Sequence, residues 1–112
     1  EADPGRTGVA GYSAGSAWGL SATCGDARVK ALAAISPPLS MFDFNCLVDC
    51  TKPKLMISGT MDTLIPATPF INFCQHLAEP VECHTFEGAD HMWYGFEDEV
   101  ARKVTDFFRK AL

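Results

Sequence analysis

The chain has 112 residues, with 9 Lys and Arg against 14 Asp and Glu, for a formal net charge of −5. Apolar residues make up 47% and charged residues 21%, the balance of a globular domain and not of a disordered acidic tail. No apolar run approaches the roughly 18 residues of a membrane span, and no Lys/Arg cluster offers a footprint for a phosphate backbone. One domain over 1–112 is expected, with neither a membrane nor a nucleic acid as partner.

Apolar runs alternate with helical patterns along the chain, which predicts parallel strands joined by crossover helices. The first strand is Thr7 to Gly11, short and apolar. A helix of small residues follows from Ala14 to Ala22 and stops at Gly25-Asp26. Its glycines weaken it, and their expected use is to let it lie close against a sheet. The second strand, Val29 to Ile35, is almost continuously apolar and suits burial on both faces. Ser36 to Pro53 is the longest irregular stretch, in which Leu39, Met41, Phe42, Phe44 and Leu47 suggest a short helix or a cap.

The third strand is Lys54 to Ser58, ended by Gly59. Thr68-Pro69 reads as an N-cap followed by proline at the first helical position. Phe70, Phe73, Cys74 and Leu77 carry that helix's apolar spacing. The fourth strand is Val81 to Phe86, and a last helix runs from about Phe96 to Ala111. Its acidic first turn and basic last turn suit the helix dipole. The order is β-α-β-loop-β-α-β-α, an α/β fold with about four strands in a parallel sheet.

The sharpest motif is Gly11-Tyr12-Ser13-Ala14-Gly15, placed where a strand ends and a helix begins. A nucleophilic hydroxyl needs a tight turn that projects it above the sheet edge. Small residues on either side allow that turn, and the Ala14 N–H can then face a developing oxyanion. Serine is a weak nucleophile and needs a base, which in turn needs an orienting acid. Of the three histidines, His76 falls in a helix and His84 in a strand, whereas His91 follows the fourth strand. Asp62 follows the third strand and is the favoured acid. Asp90 adjoins His91 too closely to orient its ring and is expected to shape the turn. Ser13, Asp62 and His91 thus all follow strand ends, the edge at which open parallel sheets bind ligands.

These motifs, in the order Ser, Asp, His, resemble the C-terminal portion of an α/β-hydrolase. The nearest resemblance is to small bacterial hydrolases close to the dienelactone hydrolases and to prolyl-oligopeptidase-like catalytic domains. Gly11–Gly15 is similar to the nucleophile elbow, Gly59-x-x-Asp62 with Pro66 to the acid loop, and Gly88-Ala89-Asp90-His91 to the histidine loop. The resemblance implies Ser13 as nucleophile, His91 as base and Asp62 as acid in a serine hydrolase acting on an ester, thioester or related acyl bond. Dienelactone hydrolases carry cysteine at the elbow, so Ser13 departs from that branch.

A complete α/β-hydrolase has further strands before the elbow, and a loop among them supplies a second oxyanion donor. The chain opens Glu1-Ala2-Asp3-Pro4, without Met, and is expected to be N-terminally incomplete. Two other functions stay open: a non-catalytic remnant or interaction module, and a peptidase or acyltransferase on the same scaffold.

Tyr12, Phe42, Leu64, Met92 and Trp93 are candidates for the pocket of a small acyl substrate. No metal and no cofactor is expected. The cysteines Cys24, Cys46, Cys50, Cys74 and Cys83 are odd in number and lack a Cys-x-x-Cys, which reads as reduced thiols in a cytoplasmic protein.

Overall fold

The structure is a computed structural model that describes residues 5–112; Glu1 to Pro4, with the expectation attached to them, lie outside the described residues. Strands β1 (Thr7–Tyr12), β2 (Val29–Ile35), β3 (Lys54–Gly59) and β4 (Val81–Phe86) form one parallel sheet in that order. Helix α1 (Ala14–Thr23) connects β1 to β2, α2 (Ala67–Gln75) connects β3 to β4, and α3 (Glu97–Ala111) follows β4. The expected α/β order is the one found. In segment 36–53 the suggested short helix is a 3-10 turn, Asn45–Leu47.

Alternation along β2 and β3 explains their unbroken apolar sequence. Leu32, Ala34 and Met56 point to one face, where they meet Ala17 and Leu20 of α1 and Phe70 and Cys74 of α2. Ala31, Ala33, Leu55 and Ile57 point to the other, where Val100 and Phe107 of α3 cover them. Leucines buried this completely stabilise the fold by about 1.5–3 kcal/mol each. The register pairs Tyr12 with Ile35 and Gly59 with Phe86. The segments after β1, β2, β3 and β4 therefore leave the sheet along one rim.

Three local expectations are corrected. Helix α2 begins at Ala67 with Pro66 as N-cap, so Thr68 is inside the helix and Pro69 is its third residue. The first-turn amides have no intrahelical acceptor, so a proline there forfeits nothing. The glycines of α1 do not set its approach to the sheet: space beside Gly15 is open, and a methyl at Gly19 would meet Val9 at an ordinary 3.9 Å. Gly11 is the glycine that matters, because a β-carbon there would run into the backbone of Ser16.

Third, two of the cysteines are not reduced. Cys24, just after α1, is joined to Cys46 in the 3-10 turn, with 6.3 Å between their Cα atoms. The bridge ties the irregular segment 36–53 to the helix behind the elbow. Disulfides persist in oxidising compartments, so this pair removes the support that reduced thiols lent to a cytoplasmic location. Cys50, Cys74 and Cys83 are free. Among the described residues, no helix is long and apolar enough to cross a membrane.

Candidate active site

Ser13 sits between β1 and α1 with φ 56° and ψ −129°, a conformation that residues with a β-carbon rarely adopt. Its N–H donates to the Ile35 carbonyl (2.9 Å), fixing the turn to β2. The Ser16 hydroxyl donates to the Ser13 carbonyl (2.5 Å) and closes the first turn of α1. Helix α1 starts at Ala14, whose amide belongs to the set that a helix N-terminus leaves without an internal acceptor.

The Ser13 Oγ lies 2.8 Å from His91 Nε2, and His91 Nδ1 lies 2.7 Å from Asp62 Oδ2. A carboxylate can only accept, so Nδ1–H donates to Asp62, and the bare Nε2 accepts from the Ser13 hydroxyl. Asp62 is 3% exposed, and its second oxygen accepts the Leu64 N–H at 3.0 Å. Burial would be costly for a carboxylate without these donors. His91 is partly buried, with its Ser13-facing nitrogen at the rim.

A close approach of two loops brings Asp62 to His91. Gly59 abuts the Ala89 carbonyl so tightly that any β-carbon would overlap it. Around that contact the Met61 N–H donates to the Ala89 carbonyl (2.9 Å), the Thr60 N–H to the Phe86 carbonyl (3.0 Å) and the Gly88 N–H to Thr60 Oγ1 (2.8 Å). The loop after β3 and the loop after β4 thus form one hydrogen-bonded unit, with Asp62 and His91 at its crest. Gly59 is a residue whose structural necessity the sequence alone did not reveal; its position at a strand end was the available signal.

The other titratable candidates lie elsewhere. His76 caps α2 and its Nδ1–H donates to the Asn72 carbonyl (2.7 Å), and His84 pairs with Glu82 (2.7 Å). Asp90 accepts the Met92 N–H at 3.1 Å, a turn-shaping contact. Among the described residues, no group of three or more His, Cys, Asp or Glu could hold a metal ion.

The pocket candidates divide. Leu64 and Met92 are exposed at 48% and 57%, and Leu64 lines a cavity of about 130 Å3 with Leu39, Ile65, Pro66, Pro69 and Phe70. Phe42 lines a cavity of about 470 Å3 with Leu39, Met41, Phe44 and Phe73. Neither cavity includes Ser13 or His91 in its lining. Trp93 is corrected: it is 4% exposed, packed with Phe86 and the α3 residues, and its indole N–H donates to Ser36 Oγ at 2.9 Å. It is a wall of the core and not of a pocket. Tyr12 is 42% exposed, but its hydroxyl donates to the His91 carbonyl (2.5 Å) while its ring lies 5.5 Å from the imidazole. Burial and, after it, the negative charges of Asp62 and Asp90 push the Tyr12 phenol above its ordinary pKa, so it remains a donor at neutral pH.

No family model and no curated protein matches this sequence. Solved structures do match its fold. A protein of unknown function from Agrobacterium tumefaciens, provisionally an α/β hydrolase, superposes with a TM-score of 0.83 at 24% identity, over 94% of this chain and 50% of its own. An esterase from Pyrococcus furiosus gives 0.80 at 21% identity, over 96% and 54%. A lidless α/β serine hydrolase from Xanthomonas campestris gives 0.75 at 19% identity, over 92% and 46%. The chain has the α/β-hydrolase fold, and it spans about half the length of these structures.

Proposed function

We propose that this chain carries the nucleophile, base and acid of a serine hydrolase that cleaves a carboxylic ester or a related acyl bond. The observation that carries this is the continuous hydrogen-bonded line from the Ser13 hydroxyl through both His91 nitrogens to a buried Asp62. Esterases and serine hydrolases among the matching folds support the same reaction class.

In this mechanism the Ser13 Oγ attacks the acyl carbon as its proton passes to His91 Nε2. Asp62 holds the imidazolium through Nδ1–H and keeps the correct tautomer. The oxyanion forms opposite the Ala14 N–H. The bond from carbon to the leaving oxygen then breaks, and Nε2–H returns the proton to that oxygen. Water, deprotonated by the same nitrogen, attacks the acyl-enzyme and regenerates the Ser13 hydroxyl with release of the acid. No metal or organic cofactor enters these steps. Exposed Leu64 and Met92 beside the acid and base suit a substrate with an apolar acyl or alcohol part.

The test is turnover of p-nitrophenyl esters of increasing acyl length by the full chain and by Ser13→Ala. Acyl-dependent release with a burst, absent from the variant, is expected. Equal turnover by the variant would remove Ser13 from the reaction and end the proposal.

A further inference from the structure

We propose that the buried Ser36–Trp93 hydrogen bond, together with the Tyr12 hydroxyl on the His91 carbonyl, positions the His91 imidazole between Ser13 and Asp62. Its catalytic meaning rests on the hydrolase reading above. Its structural content does not.

The segment 91–93 is held at both ends from across the sheet rim. At one end, Tyr12, directly before Ser13, donates to the His91 carbonyl and lays its ring beside the imidazole. At the other, Trp93 donates its indole N–H to Ser36, across 57 residues of sequence and out of reach of water. Ser36 is itself part of the elbow's frame. It follows Ile35, whose carbonyl accepts the Ser13 N–H, and its own N–H donates to the Ile57 carbonyl at 2.8 Å. The Ser36–Trp93 bond therefore connects the backbone that holds the nucleophile to the loop that carries the base.

Backbone conformation argues that this is more than incidental packing. Ser36 and Trp93 have φ of 52° and 61°. With Ser13, they are the non-glycine residues of positive φ among the described residues. Residues with a β-carbon persist there only where their surroundings over-determine them, and such residues cluster at functional sites. Here the two strained residues are bonded to each other. The indole also packs edge-on against Phe86, with ring centres 5.4 Å apart, so it is held by a ring contact as well as by the hydrogen bond.

The test uses the full chain and a fluorophosphonate probe. The Ser13 Oγ forms a bond to phosphorus, fluoride leaves, and the serine proton passes to His91. Three variants remove the bonds: Trp93→Phe loses the N–H together with part of the packed indole, Ser36→Gly accepts positive φ and loses the hydroxyl with little packing, and Tyr12→Phe loses only the phenol O–H. Labelling rate at saturating probe, half-saturating concentration, thermal unfolding and the low-field proton signal of His91 Nδ1–H are measured for each.

Trp93→Phe and Ser36→Gly are each expected to slow saturated labelling about 10- to 100-fold, with half-saturation unchanged and the Nδ1–H signal weakened or lost. The double variant should be no slower than the worse single one, since both remove the same bond. Tyr12→Phe should slow labelling by less, with the same pattern. Folded variants that label at the unaltered rate, or that lose rate while keeping a full Nδ1–H signal, overturn the proposal. If the unmodified chain fails to label at Ser13, the hydrolase reading falls instead, and the Nδ1–H signal, which requires no chemistry, still decides the positioning claim.

Discussion

Where the strands begin, polar side chains are paired mostly with near neighbours in sequence. Arg28 meets Asp26 before β2, Lys54 donates to the carbonyls of Cys50 and Lys52 at the start of β3, and His84 meets Glu82 in β4. Those partners are two to four residues apart, while the flexible Lys52 and Lys110 reach further. Where the strands finish, the contacts Ser13–His91, His91–Asp62, Trp93–Ser36 and Tyr12–His91 span 78, 29, 57 and 79 residues. The first rim assembles mostly from local pairs. The second exists only once the sheet is complete, so on the proposed function a single cut there should reach the chemistry.

That contrast is breakable by substitution. The largest effect is expected from Asp62→Asn, which puts an amide where His91 needs an acceptor. Hydrolysis or labelling should fall by up to about 10⁴-fold while the fold survives, as circular dichroism would check. An unchanged rate would take Asp62 out of the mechanism. Gly59→Ala forces the β3 and β4 loops apart at the Ala89 carbonyl. It should slow the reaction about 100-fold and cost about 1–3 kcal/mol in urea unfolding, so both rate and stability move together.

Away from the rim the two should separate. Cys24→Ser opens a bridge that closes 22 residues, with an expected cost of about 3 kcal/mol. The labelling rate of the folded variant should stay as it was. Thiol titration of the chain unfolded without reductant should find three free cysteines, and five would contradict the bridge. The smallest effect belongs to the strand starts. His84 and, after burial opposes it, Lys110 hold the Glu82 carboxyl below its ordinary pKa. A depressed folded pKa stabilises above the unfolded value of about 4.3 and is lost as pH falls through the folded one. Glu82→Gln should thus cost less than about 1 kcal/mol at neutral pH, and nothing in strong acid. An equal cost at both would show that the charge is not involved.

The strands and helices were legible in the sequence because burial writes itself as period. Val29–Ile35 is apolar throughout because both faces are covered, and α3 shows one stripe because one face is. Ser13, Asp62 and His91 were legible as strand-end residues, a consequence of parallel topology alone. What stayed hidden involves a partner remote in sequence. Trp93 looked like a pocket wall because nothing near residue 93 announces Ser36. Cys24 and Cys46 have no motif between them, only the proximity of α1 to a loop. Gly59 could be read as a strand end, but not as the contact surface for Ala89.

The central claim meets its most direct test in peptide mapping of the full chain after fluorophosphonate treatment. One adduct on Ser13 is expected, absent from Ser13→Ala and nearly absent from His91→Ala. No adduct, or one that forms as fast without the His91 imidazole, would contradict the claim that these side chains act as one reacting unit.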